Sequence, residues 1–106
     1  MIVLSVAQVP EPPLTIEKDK VLASTRTYYQ PYFKKMEEKA ASLGLRTRFV
    51  VRVGHPAEEI VDMAKEERVD AIVMGHVGGP AMQRWLVGSV AKRVLSYAHC
   101  TVIIVR

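Results

Sequence analysis

From Val69 to Val90 the chain reads VDAIVMGHVGGPAMQRWLVGSV. An apolar run opens the stretch. Gly75 and Gly78 follow, then nine residues, then Gly88-Ser89 at the start of a helical pattern. A buried strand that runs through a glycine-rich loop into a helix limits the chain to a layered α/β fold, and it places a loop at the carboxyl end of a strand. The same arrangement suits an anion. Glycines let the backbone come close, and the unpaired N–H groups of a helix start point outward. Ser89 adds a hydroxyl. The plainer reading is that the glycines form a turn and that Ser89 caps the helix, since serine is a favoured cap.

The rest of the chain fits this frame. Ile2 to Val9 is nearly all apolar and reads as a buried strand, with Pro10, Pro12 and Pro13 beginning a loop. A helical pattern follows from about Ile16. Tyr29, Phe33, Met36, Ala40 and Leu43 line one face of it, and Gly44 fits its C-terminal cap. Pro31 either kinks this helix or opens a separate one. Leu45 to Val53 alternates, with Arg46, Arg48 and Arg52 opposite Phe49, Val51 and Val53, as on an edge strand. Gly54-His55 turns the chain. Pro56 suits a first helical position, and Glu58 and Glu59 favour the positive end of the helix dipole. Ala57, Ile60, Val61 and Ala64 form its buried stripe. Ala71 to Met74 is the next strand, and Pro80 to Val87 reads as a short helical turn. Ser89 to Ala98 is a helix with Val90, Val94, Leu95 and Ala98 inward, and Thr101 to Val105 is the last strand. The order is β-α-β-α-β-α-β in one domain spanning 1–106, with mostly parallel strands and three layers.

Charge and composition narrow the function. The 106 residues carry fifteen basic and eleven acidic side chains, a net charge of +4. The basic residues are scattered, which argues against a nucleic-acid stripe. Tyr28, Tyr29, Tyr32 and Phe33 at helical spacing are more often core and partner contact than a stacking platform for bases. The longest apolar run is far short of a membrane span. Cys100, the single cysteine, has no disulfide partner within the chain. The start lacks the pattern of a signal peptide, so a cytoplasmic protein is expected. Neither G-x4-G-K-[ST] nor G-x-G-x-x-G occurs, and no catalytic set is tied by motif spacing.

The pattern Gly75-x2-Gly78-x9-Gly88-Ser89 resembles the ATP-binding signature of the universal stress protein family. Gly54 to Ile60 is similar to the start of that family's third helix, Val69 to Gly75 to its fourth strand, and Gly88 to Val105 to its last helix and strand. The resemblance implies an adenine-nucleotide alpha hydrolase-like α/β fold and binding of ATP, with Mg²⁺ accompanying the nucleotide. It carries Met74 and Gly75 to the nucleoside side, and Gly78, Gly88, Ser89 and Val90 to the phosphate side. Val6 is placed to meet the adenine through its backbone. Val77 and Ala91 depart from the pattern, and His76 and Arg84 read as loop residues. The resemblance also implies a homodimer formed through Thr101 to Val105. Any ATP hydrolysis would be slow. The alternative is a dimeric interaction protein that does not bind nucleotide.

The family's first strand, the aspartate at its end and the first helix have no counterpart in these residues. In the family's strand order the absent strand is central. Three arrangements are then expected: closure of the remaining pairs into a four-stranded sheet, exchange of a strand with a partner, or a natural start further upstream. Unpaired backbone groups that remain buried are costly, which is what makes the choice matter.

Overall fold

A computed structural model of the chain describes residues 1–8, 15–75 and 88–105. The elements in order are β1 (Ile2–Ala7), α1 (Thr15–Ser42), β2 (Arg48–Val53), α2 (Pro56–Glu66), β3 (Ala71–Gly75), α3 (Ser89–Tyr97) and β4 (Thr101–Val105). This is the alternating order expected, and all strand pairing is parallel. The expected helical turn over Pro80 to Val87 lies outside the described residues. The elements fall into two compact units, Met1–His55 and Pro56–Arg106.

In the first unit β1 pairs with β2 along its whole length, from Ile2 opposite Arg48 to Ala7 opposite Val53. Backbone bonds from Arg48 N–H to the Met1 carbonyl and from Gly54 N–H to the Ala7 carbonyl, each 2.9 Å, extend the ladder at both ends. α1 is one continuous helix through Pro31, so Pro31 does not open a separate helix. At about 1.5 Å per residue it runs to about 42 Å, against about 20 Å for a six-residue strand. It therefore overhangs its sheet. Along its stripe Ala40 is buried and Phe33 and Tyr29 are half-buried, while Met36 and Leu43 are exposed. Phe33 stacks on Phe49 of β2 at 4.7 Å between ring centres, and Tyr29 stacks on Phe33 at 5.7 Å.

α1 ends as its glycine requires. Gly44 sits at φ +75°. Its N–H reaches the Ala41 carbonyl, and the Leu45 N–H reaches the Ala40 carbonyl at 2.8 Å. These are the paired bonds of a Schellman cap. α2 ends in the same way without a glycine. Arg68 takes φ +50°, its N–H bonds the Lys65 carbonyl, and the Val69 N–H bonds the Ala64 carbonyl.

In the second unit β3 pairs with β4, from Ala71 opposite Thr101 to Gly75 opposite Val105. Helices α2 and α3 cover one face. Ala57, Val61 and Val94 form the centre of the core, and Ile60, Ile72, Met74, Val90, Ala98 and Val102 pack round it. Val94 is 0 % exposed. Leu95, expected inward, is 49 % exposed, and Ala91 takes its place in the core. The helix period accounts for this: at about 100° per residue Leu95 lies about 100° from Val94, whereas Ala91 lies about 60° away. Met63 is a further buried residue of α2.

Among the described residues β1 bonds only to β2 and β3 only to β4, giving two two-stranded sheets. The four-stranded sheet of the first arrangement is not formed among the described residues.

Candidate functional site

The strand–loop–helix segment lies in the second unit. β3 carries Met74 and Gly75 at its carboxyl end, and α3 begins just after Gly88. The Met74 and Val90 side chains pack on the same core. They are thereby turned into the protein, which leaves their backbone groups as what each can offer a ligand. Gly78, His76, Val77, Arg84 and the rest of 76–87 lie outside the described residues. Val6 lies in β1 of the first unit, opposite Arg52.

The start of α3 differs in one respect from the plain turn-and-cap reading. Gly88 holds the cap position, and Ser89 is the first helical residue. The Lys92 N–H is the first to close an intrahelical bond, to the Gly88 carbonyl at 3.0 Å. The N–H groups of Ser89, Val90 and Ala91 precede it and have no partner within the helix. No described side chain caps them, and no acidic residue lies in the first turn. Three donors therefore converge at the positive end of a nine-residue helix dipole. With the cap at Gly88 the free donors run from Ser89 to Ala91, whereas a serine cap would move them one residue on, to Val90 to Lys92.

The backbone of Gly88 is informative. Its φ of −62° and ψ of 159° are open to any residue. Conformation does not demand glycine here. Gly88 is also buried, so what glycine supplies is close packing of the protein on its backbone.

Among the described residues no group of three or more His, Cys, Asp or Glu could hold a metal. Between Gly75 and Val90 the sequence has no carboxylate. Mg²⁺ thus has no protein site of its own here. It fits only as a companion of a bound phosphate. Cys100 is a free thiol, half-buried at the start of β4. No described helix is long and apolar enough to cross a membrane.

Parallel strands alternating with helices define a layered α/β protein. The universal stress protein family model matches residues 1–106, and the chain belongs to that family. The chain is 40% identical over 77 residues to universal stress protein MJ0531 of Methanocaldococcus jannaschii, an alignment covering 73% of this chain and 45% of that protein. It is 51% identical over 59 residues to a universal stress protein of Methanothermobacter thermautotrophicus, covering 56% of this chain and 40% of the other. It spans about half the length of the curated relatives it matches. Among solved structures, hypothetical protein MJ0577 superposes with a TM-score of 0.83 at 26% identity, over 98% of this chain and 73% of that one. The fold is therefore that of universal stress proteins.

Proposed function

We propose that the chain binds ATP or a related adenine nucleotide at the loop from Gly75 to Ser89 and acts as a small cytoplasmic regulatory protein. Gly78, Gly88, Ser89 and Val90 take the phosphates, and Met74 and Gly75 the nucleoside. Mg²⁺ enters with the nucleotide. The observation that carries this reading is the start of α3, where a buried Gly88 that conformation does not require stands before three N–H groups without a described cap. Regulation follows from linkage: a ligand that favours one conformation or one set of partners shifts the population toward it.

The test is a titration with Mg-ATP, followed by the fluorescence of Trp85, which lies inside the nine-residue spacer, and by calorimetry. Saturable binding is expected, and Gly88→Val removes it by filling the approach to the N–H groups. Absence of heat and of fluorescence change at millimolar Mg-ATP defeats this reading.

The second reading is a dimeric interaction protein without nucleotide. It is favoured by the outer face of the β3–β4 sheet, where Val73, Ile103 and Val105 are exposed. Pairing of Thr101 to Val105 with the same strand of a second copy is common to both readings. An apolar strand at a sheet edge is a ready template for such pairing.

A further inference from the structure

On their outer side α2 and α3 leave an open groove of about 540 Å³. Ala57 and Val61 are buried beneath it and form an apolar floor. Glu58, Asp62 and Lys65 of α2 and Arg93 of α3 rise around it. All four are exposed, and among the described residues none forms an ion pair or hydrogen bond through its side chain. At one border Tyr97 projects with 67 % of its surface exposed.

The surface thus carries a projecting ring and an apolar seat, together with two negative and two positive charges. A partner that fits must offer a ring, a seat and the same balanced charges. A second copy of this surface offers all of them. Under two-fold symmetry each feature of one copy meets its complement on the other, which is what an isologous contact demands. We propose that the α2–α3 face is a two-fold contact between two copies of this chain. In it each Tyr97 seats on the Ala57–Val61 floor opposite, and Glu58 and Asp62 face Lys65 and Arg93 across the axis. The contact uses no residue of β4, so it is independent of strand pairing between copies and adds a second assembly step to it. α2 and α3 are about 16 and 13 Å long, which puts the face below the area of standard specific interfaces. The contact is correspondingly weak and sensitive to salt.

The test uses the full chain in sedimentation equilibrium at low and high salt. One variant combines Glu58→Lys with Asp62→Lys and makes the four charges all positive. The other combines Lys65→Glu with Arg93→Glu and makes them all negative. All four positions are exposed, so folding is preserved and circular dichroism verifies it. Each variant alone loses one two-fold step of assembly, with a dissociation constant raised about a hundredfold by like charges in apposition. An equimolar mixture regains the step. Tyr97→Ala in both partners of that mixture weakens it about tenfold, as removal of a seated aromatic does. A wild-type chain that remains a single copy at high protein concentration overturns the proposal, as does assembly unchanged in both charge variants. Full association of the mixture despite Tyr97→Ala shows attraction by net charge alone and overturns the seating.

Discussion

The two units use the same parts to different effect. Each has two parallel strands in full register, and each has a helix ended by paired bonds of the Schellman type. The second unit lays two short helices on its sheet and completely buries Val94. The first lays one long helix on a sheet half its length and relies on a run of stacked rings, Phe49, Phe33 and Tyr29. Helix length relative to strand length decides the difference. A helix matched to its strands concentrates its apolar stripe on them, while a helix longer than its strands runs in part where it has no sheet of its own unit to cover. The unit with the concentrated core is also the one that holds the glycine loop, so the donors at the start of α3 rest on the better-packed part of the chain.

The largest expected effect breaks the second unit. Val94→Asp places a carboxylate where no water and no partner reach it. That costs more than about 4 kcal/mol and leaves the unit unfolded near neutral pH. Urea denaturation followed by circular dichroism measures it, and a loss below about 1 kcal/mol would contradict the core described. The corresponding change in the first unit is milder. Phe33→Ala removes a half-buried ring from two stacking contacts and costs about 2 kcal/mol. If Phe33→Ala proved as damaging as Val94→Asp, the contrast between the units would fail.

The two helix ends sharpen the comparison, because they share one geometry and differ in one residue. Gly44 and Arg68 both take positive φ, +75° and +50°. A Cβ at Gly44 would meet nothing within 4 Å, so the cost of Gly44→Ala is conformational alone, about 1 kcal/mol. Arg68→Gly relieves the same strain at the end of α2 and stabilises by up to about 1 kcal/mol. Opposite shifts of similar size in urea midpoint are expected, and shifts of the same sign would show that the caps are not equivalent.

These ends also mark where sequence is legible. Gly44 announced its cap because glycine at that place has few other uses. Arg68 announced nothing, since Glu66-Glu67-Arg68 before Val69 carries no glycine, and the left-handed turn there is imposed by the bonds to Ala64 and Lys65. The element order was readable because each apolar run matched a strand or helix period. The cost of misreading a stripe by one position shows at Leu95 and Ala91, where side-chain size outweighed angle in the reading but not in the fold. Splitting of the sheet into two pairs depends on registers between distant strands, which local patterns do not encode. The places of Gly75 at a strand end and of Gly88-Ser89 at a helix start were readable from spacing. The cap at Gly88 was not legible, because a glycine before a helix leaves no side-chain signal, whereas serine is a favoured cap.

The smallest expected effect concerns the rings of the first unit. Tyr28 lies 5.7 Å from Tyr32 between ring centres, and 5.0 Å from Tyr29. Its phenol is held above the ordinary value of 10.0 by a hydrogen bond to Tyr32, then by the charge Tyr32 takes on when it ionises, with slight burial adding to both. The protonated form is the favoured one in the folded chain. The contribution to stability is therefore complete below the unfolded value near 10, and it disappears as pH rises through the higher folded one. Tyr32→Phe removes both the hydrogen bond and the charge, so the Tyr28 titration, read from ultraviolet absorbance, falls toward 10 in the variant. The second unit has no such pair of phenols among its described residues, so its caps and core respond to pH without this step. A Tyr28 titration unchanged by Tyr32→Phe would mean that the overhanging half of α1 does not hold its rings together, and that the first unit is ordered only where Phe33 meets Phe49.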